Sequence, residues 1–341
     1  MLRKRATQMP TLGYGAANLG NLFRELSDEA AWGVLDAAWE SGVRYYDTSP
    51  HYGLGLSERR LGEFLRTKPR DEYVVSTKVG RLLRPNPGAQ PGELDLPNNF
   101  LVPATLRREW DASEAGVRRS VEESLERTGL DRFDVIYLHD PERYDLDGAI
   151  TTALPALERL RDEGATDRVG VGSMTPSALA RCVKEAQLDL IMIAARYTLL
   201  EQPAAAEVLP ACVERGTEVV AASVFNSGLL ARDTPSRDSR YEYGEVPEAM
   251  WQRVTRIAAM CAAHDVALPV AAAQFPLRHP SVVSVVLGGN APEQLAQNAE
   301  RMRASVPQGL WDELQAAGLI DDIGGPVGGP AGNAGTDTEE D

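Results

Sequence analysis

Eight times along this chain a short apolar run of strand character gives way to a stretch with helical stop and start signals. That alternation constrains the fold more than any other feature. The strand-like runs begin near residues 11, 43, 73, 133, 168, 188, 217 and 282. Helical stretches fall after them at 27–40, 57–66, 113–128, 147–162, 176–187, 203–215, 247–264 and 292–303. Ser27 and Ser57 read as N-caps, and Gly42, Gly129 and Gly216 as helix stops. Strand–helix alternation argues for a parallel sheet. Eight such units close into an α/β (β/α)₈ barrel of TIM type, without free edges. The barrel is expected to fill residues 1–320 as one domain. Residues 321–341, rich in Gly, Pro and acids, read as a disordered tail.

Residues 81–111 break the rhythm, with five prolines, many polar groups and no clear period. A long loop in a compact domain is a functional lid, a disordered insert or a variable rim segment. Its aromatic and apolar residues, Leu83, Phe100, Leu101 and Trp110, are candidates to wall a pocket.

Composition narrows the partners. The net charge is −15, but six of the acids lie in the last 21 residues, so the body is only moderately acidic. No basic stripe is present, which argues against nucleic acid or an anionic membrane surface as partner. No apolar run reaches the ~18 residues of a membrane helix. The basic start, Met1 to Arg5, has no apolar stretch behind it and is not a signal peptide. Cys182, Cys212 and Cys261 are far apart, as buried thiols in a reducing compartment would be. The four histidines, His51, His139, His264 and His279, show no metal-ligand spacing, so no metal is expected. The reading is a soluble cytoplasmic protein acting on a small molecule, with no sequence sign of its oligomeric state.

Three strand-like runs end on polar groups. Tyr45-Tyr46-Asp47 is followed by a loop carrying Tyr52, Tyr73 to Lys78 ends in lysine, and Phe133 to His139 ends in histidine. In a parallel barrel that end of the strands holds the active site. Each residue alone is better read as a turn former, rim packing or a solvated charge; the constellation together makes a candidate site. Asp47, Tyr52, Lys78 and His139 resemble the catalytic tetrad of the aldo-keto reductases. The resemblance covers residue 9 to about 318. It is most specific at 45–62, Ser76-Thr77-Lys78, Tyr137-Leu138-His139-Asp140-Pro141 and Arg196-Tyr197-Thr198-Leu199-Leu200. Within the family the chain looks most like the aldose (fucose/arabinose-type) 1-dehydrogenases and the related pyridoxal 4-dehydrogenase.

The resemblance implies Tyr52 as general acid/base, Lys78 as the cation that lowers its pKa and Asp47 as the partner of Lys78. His139 would orient the reacting oxygen. It also implies a nicotinamide dinucleotide lying across the barrel mouth. No Gly-x-Gly-x-x-Gly unit of Rossmann type is present. Expected cofactor contacts are Gly15, Ser173, Ser223, Phe225, Ser227, Gly228, Gly288, Gly289, Gln294, Gln297 and Asn298. The Gly288-Gly289-Asn290 turn opens a helix whose N-terminus can hold phosphate. Asn18, His51, Trp110 and Tyr197 are expected around the substrate.

The cofactor region departs from the family pattern in several places, among them Ala222, where the family often carries the aromatic that stacks on the nicotinamide, with Phe225 close by. No Lys or Arg lies between Gly288 and Glu300 to hold a 2′-phosphate, so NAD is preferred, with NADP possible. Met174 stands where an Asn usually follows the serine after the fifth strand, and Ala194 where the sixth usually carries Gln. The expected activity is oxidation of a sugar hemiacetal to a lactone. Pyridoxal oxidation or general aldehyde and ketone reduction is the alternative, and a non-catalytic nucleotide-binding barrel a distant one.

Overall fold

The computed structural model describes residues 8–242 and 244–321. Along the chain, β1 (Leu12–Gly15) and α1 (Asp28–Glu40) lead to β2 (Tyr45–Asp47), α2 (Leu56–Leu65) and β3 (Val74–Val79). A pair of short strands, β4 (Arg81–Pro85) and β5 (Leu106–Trp110), precedes α3 (Glu114–Thr128) and β6 (Val135–His139). There follow α4 (Leu146–Gly148), α5 (Leu154–Asp162), β7 (Arg168–Ser173), α6 (Pro176–Glu185) and β8 (Leu190–Ala194). The chain continues through α7 (Val208–Arg215), β9 (Glu218–Ala222), α8 (Glu248–Ala263), α9 (Leu268–Gln274), β10 (Val282–Leu287), α10 (Pro292–Arg303) and α11 (Gln308–Ala316).

Eight strands form a closed parallel barrel in the order β1-β10-β9-β8-β7-β6-β3-β2. These are the eight runs read from the sequence. Their near-continuous apolar character follows from burial on both faces: β3, β6 and β7 are buried at every residue. The helices cover the outside in one large apolar cluster, while a smaller cluster around Val74, Val135, Leu190 and Val220 fills the interior.

The side chains of Ser27 and Ser113 accept from Ala30 N and Gly116 N and cap α1 and α3, worth about 1 kcal/mol each. Ser57 is not a cap. The N-cap of α2 is Gly55, at φ 88°, a left-handed conformation that favours glycine. Ser57 is buried inside the first turn, and its hydroxyl donates to Ala16 O at 2.7 Å. The expected helix at 147–162 is broken into α4, a π-turn over Ala149–Ala153 and α5. Pro155 has no N–H to give to the preceding turn, which interrupts the ladder there. The stretch 203–215 begins as a 3₁₀ turn and becomes α-helical only at Val208. Helices α9 and α11 lie outside the strand–helix count and were not anticipated.

Residues 81–111 are neither disordered nor without regular structure. β4 and β5 pair antiparallel from Arg81↔Trp110 to Pro85↔Leu106. The insert has a small core of its own, Leu54, Leu83, Phe100 and Val102, against which Tyr52 packs. Backbone bonds Phe23 N→Asn99 O and Leu101 N→Asn21 O tie it to the segment after β1. The three cysteines are buried, and burial pushes each thiol up to about 12. Among the described residues no single helix is long and apolar enough to cross a membrane. Apart from Asp321, the expected tail lies outside the described residues.

Candidate active site

Asp47 closes β2, Lys78 is the penultimate residue of β3 and His139 closes β6. Neighbouring parallel strands therefore present all three at one end of the barrel, and the loop after β2 brings Tyr52 over them. Lys78 Nζ lies 2.5 Å from Asp47 Oδ2, 3.0 Å from Tyr52 Oη and 3.1 Å from Thr48 O. Asp47 and Lys78 are 2 % and 3 % exposed, so this is an ion pair out of water, held together by three added hydrogen bonds. Asp47 Oδ1 accepts the third, from Ser76 Oγ at 2.7 Å.

Burial works to push the Lys78 ammonium down, but Asp47 and Tyr52 outweigh it and its pKa is raised, so it stays charged. Tyr52 is raised as well. Burial is the larger influence, and the pull of Lys78 opposes it without overcoming it. Lys78 thus acts on this phenol in the expected direction, but the hydroxyl sits in too dry a place for its pKa to fall below the ordinary value in the free protein.

His139 is held well below its usual pKa, first by burial and then by Arg81 and Lys78, and is a neutral imidazole. Ser49 Oγ lies 3.2 Å from His139 Nδ1 and also accepts from His51 N. The Ser49 contact fixes the orientation of the imidazole ring, with Nε2 on the side of Asp140, 3.6 Å from its Oδ2. The ring of His51 packs edge-on against His139 and Phe100, and burial with Arg81 and Arg108 nearby pushes it down to about 2.

Several charged residues that the sequence reading did not single out border this centre. Arg81 donates to Asp140 Oδ2 at 2.6 Å, and Asp140 lies 3.6 Å from His139 Nε2. Arg108 forks onto both oxygens of Asp95, at 3.0 and 2.6 Å. A cleft of about 280 Å³ opens beside Asp140 and Met174, bordered by Glu142, Thr175 and Arg196. Asp140 directly follows His139, so its adjacency was visible. Arg81 and Arg108 had no comparable signal, since their positions depend on the hairpin.

The residues expected around the cofactor lie at the ends of β1 and β7, after β9, and from the end of β10 into α10. Gly15 ends β1, and Ser223, Phe225, Ser227 and Gly228 follow β9, with both serines exposed. Ser223, Asn226, Ser227 and Gly228 all have positive φ, so the segment curls through tight turns. The buried Oδ1 of Asn226 has no protein partner there. Gly288 and Gly289 follow β10, and Tyr14 Oη donates to Gly289 O at 3.0 Å. Gln294 and Asn298 are turned toward that loop: Gln294 Oε1 accepts from Asn290 N at 2.8 Å, and Asn298 Nδ2 donates to Gly288 O at 3.1 Å. Gln297 is exposed on α10. The hydroxyl of Ser173 is engaged by Glu142 Oε1 at 2.5 Å and Thr175 N at 2.9 Å.

Of the expected substrate neighbours, His51 stands at the tetrad and the half-buried Asn18 lies near Gly288. Trp110, at the end of the hairpin, stacks on Tyr144 at 4.5 Å. Tyr197 is not a pocket wall. It is 1 % exposed and packs against Phe275 and His279, among the outer helices, because its strand has already ended and the chain has turned away from the mouth.

Residues 11–318 match the model of the Aldo/keto reductase family. The chain is 65 % identical to a D-threo-aldose 1-dehydrogenase of a Pseudomonas species, over 92 % of this chain and 95 % of that one. It is 36 % identical to a pyridoxal 4-dehydrogenase of Microbacterium luteolum, over 94 % and 97 %. In three dimensions it matches the holo form of an aldo-keto reductase from Bacillus halodurans with a TM-score of 0.71. That match has 25 % identity and covers 91 % of this chain and 92 % of the other.

Proposed function

This chain belongs to the aldo/keto reductase family of oxidoreductases, and on that premise we propose that it is an aldose 1-dehydrogenase that prefers NAD. The observation that carries the reading is the chain Asp47–Lys78–Tyr52 beside a neutral His139 at the barrel mouth. The cofactor would supply the hydride acceptor when bound, and the segments that would hold it are the tight turns at 223–228, with the unengaged Asn226 Oδ1, and the Gly288–Asn290 turn.

Tyr52 takes the proton from the anomeric hydroxyl of the sugar as that carbon gives up its hydride. Lys78 stabilises the phenolate that Tyr52 needs for this, and Asp47 keeps Lys78 charged and in place. His139 hydrogen-bonds to the same oxygen and fixes its direction. The polar rim formed by Asp140, Arg81 and His51 suits a substrate with several hydroxyl groups, and the aldose activity of the 65 % identical relative supports that class.

The preference for NAD rests on where the nearby cations are engaged. Arg301 donates to Asn298 Oδ1 at 2.9 Å and to Ala231 O at 3.3 Å and lies over the ring of Phe225. Arg303 donates to Ser41 O at 2.8 Å. A 2′-phosphate would find neither free.

The test is formation of reduced cofactor from NAD with L-fucose, D-arabinose, L-galactose, L-xylose and pyridoxal. Oxidation of sugars that share one arrangement at two adjacent hydroxyls is expected. Oxidation of pyridoxal alone, or reduction of simple aldehydes with NADPH and no oxidation of sugars, overturns the reading.

A further inference from the structure

The interior of a (β/α)₈ barrel is ordinarily filled by branched aliphatic side chains. Here three hydroxyls cross it. Tyr137 Oη lies 3.3 Å from Tyr45 Oη, Tyr45 Oη lies 3.0 Å from Ser76 Oγ, and Ser76 Oγ lies 2.7 Å from Asp47 Oδ1. Tyr45, Ser76 and Tyr137 are each 0 % exposed. Neighbouring strands make room for the two rings. A Cβ at Gly13 of β1 would stand 2.5 Å from the ring of Tyr45. One at Gly170 of β7 would stand 2.0 Å from Leu190 O and 3.2 Å from the ring of Tyr137.

The direction of this string is forced. Ser76 has one proton and gives it to a carboxylate, so Tyr45 must donate to Ser76 and Tyr137 to Tyr45. Burial pushes both phenols far above their ordinary value, which keeps them protonated and therefore donors. Three hydroxyl dipoles in a dry core thus point at one oxygen of Asp47, each strengthening the next. The other oxygen holds Lys78.

We propose that Tyr137, Tyr45 and Ser76 are positioning residues that disperse the charge of Asp47 from beneath, so that Lys78 is held in place yet directs its charge at Tyr52. They thereby set the pH at which Tyr52 becomes a base. The proposal rests on the reading of Tyr52 as general base. Asp47 is faced by Tyr45, Ser76, Lys78 and Tyr52, and Tyr52 by Lys78, Asp47, Asp140, His51 and His139, with Arg81 behind Asp140 and Arg108 behind His51. A Tyr→Phe change at 45 or 137 alters none of the charged groups in that set.

The experiment is the pH profile of kcat/KM for oxidation in Tyr137→Phe, Tyr45→Phe and Ser76→Ala, with thermal melting in parallel. Removing a donor leaves Asp47 a more concentrated charge, which draws Lys78 toward itself and disfavours phenolate at Tyr52. The limb on which activity rises with pH should move to higher pH, least for Tyr137→Phe and most for Ser76→Ala. The shift for Tyr45→Phe should be on the order of half a pH unit, from the net worth of one neutral hydrogen bond. Profiles that superimpose on wild type while melting temperatures fall would show space-filling only and overturn the proposal, as would a larger shift in Tyr137→Phe than in Tyr45→Phe. Should Ser76→Ala fail to fold, the two Phe variants, which keep their rings, decide the question. Full turnover by Tyr52→Phe would instead remove the general-base reading itself, a result separable from an unmoved profile.

Discussion

The guanidinium of Arg108, on the outer strand of the hairpin, donates at 2.7 Å to the carbonyl oxygen of His51, the residue that precedes Tyr52. The same side chain forks onto Asp95 within the insert. The hairpin is thereby fastened to the loop that carries the candidate general base, through a side chain that is 9 % exposed.

Arg108→Met should separate positioning from chemistry. It leaves Asp95, 8 % exposed, without its cation, and loss of one member of a buried pair costs about 3–5 kcal/mol. Melting temperature should drop by several degrees, and kcat should fall at least tenfold because the 51–52 backbone loses its tie. An unchanged kcat in a folded Arg108→Met variant would show that the hairpin does not hold Tyr52.

Tyr52→Phe keeps the ring contact with Phe100 and removes only the hydroxyl that Lys78 holds. Turnover should be lost by a factor of about 10² or more, in line with loss of an acid/base group. Cofactor binding, followed by quenching of protein fluorescence, should stay within a few-fold of wild type. Retained turnover is the outcome that sinks the tetrad assignment.

The free protein holds Tyr52 above its ordinary pKa, so phenolate becomes available only at alkaline pH. Oxidation should therefore accelerate with rising pH with no plateau below about 10, while reduction, which needs the protonated phenol, should slow over the same range. An oxidation rate that is flat from neutrality upward contradicts this ordering.

Acid should destabilise the fold through two buried imidazoles. His51 is pushed down to about 2 and His139 well below its usual value, both first by burial. A group whose folded pKa is depressed takes up protons on unfolding at any pH between its two values. Their stabilising contribution is thus intact above about 6.5 and is lost as pH falls from there, by up to about 1.4 kcal/mol per pH unit for each ring. Denaturant titrations at pH 7 and 5 should show the loss, and His51→Gln should make it shallower. Equal slopes for His51→Gln and wild type would exclude His51 as a contributor.

Gln294→Arg should raise the ratio of kcat/KM for NADP over NAD by about tenfold or more, since it adds a cation beside the turn at Gly288 where none is free. The same change removes the bond from Asn290 N, so some loss with both cofactors is expected. A ratio that does not move would place the 2′ position elsewhere.

Much of this is legible in the sequence. β3 reads as six consecutive buried residues ending near a lysine, and β6 as five ending in a histidine, because burial on both faces leaves an apolar run with only its end free to be polar. The insert was not legible. Along β5 the inward and outward residues alternate Leu, Arg, Arg, Glu, Trp, and the inward Arg108 has the composition of a surface residue until its partner Asp95 is known. Ser57 looked like a cap because it precedes a helical run, yet Gly53 and Gly55 had already turned the chain, and its hydroxyl was taken by Ala16 O. Tyr197 sat in a motif that matched the family, but ring contacts with Phe275 and His279 hold it in the outer layer.

The sequence by itself determined the eight-fold alternation, the closed barrel, the three strand-end residues and the loop that carries Tyr52, because period, caps and breakers are local properties that each segment carries within itself. Tertiary structure alone decided how those residues are tuned. The 2.5 Å contact of Lys78 with Asp47, the dryness that raises Tyr52 and the hydroxyl string from Tyr137 to Asp47 all arise between segments tens of residues apart. Electrostatic energies depend on distance and on exclusion of water, and a sequence encodes neither until the strands are set side by side.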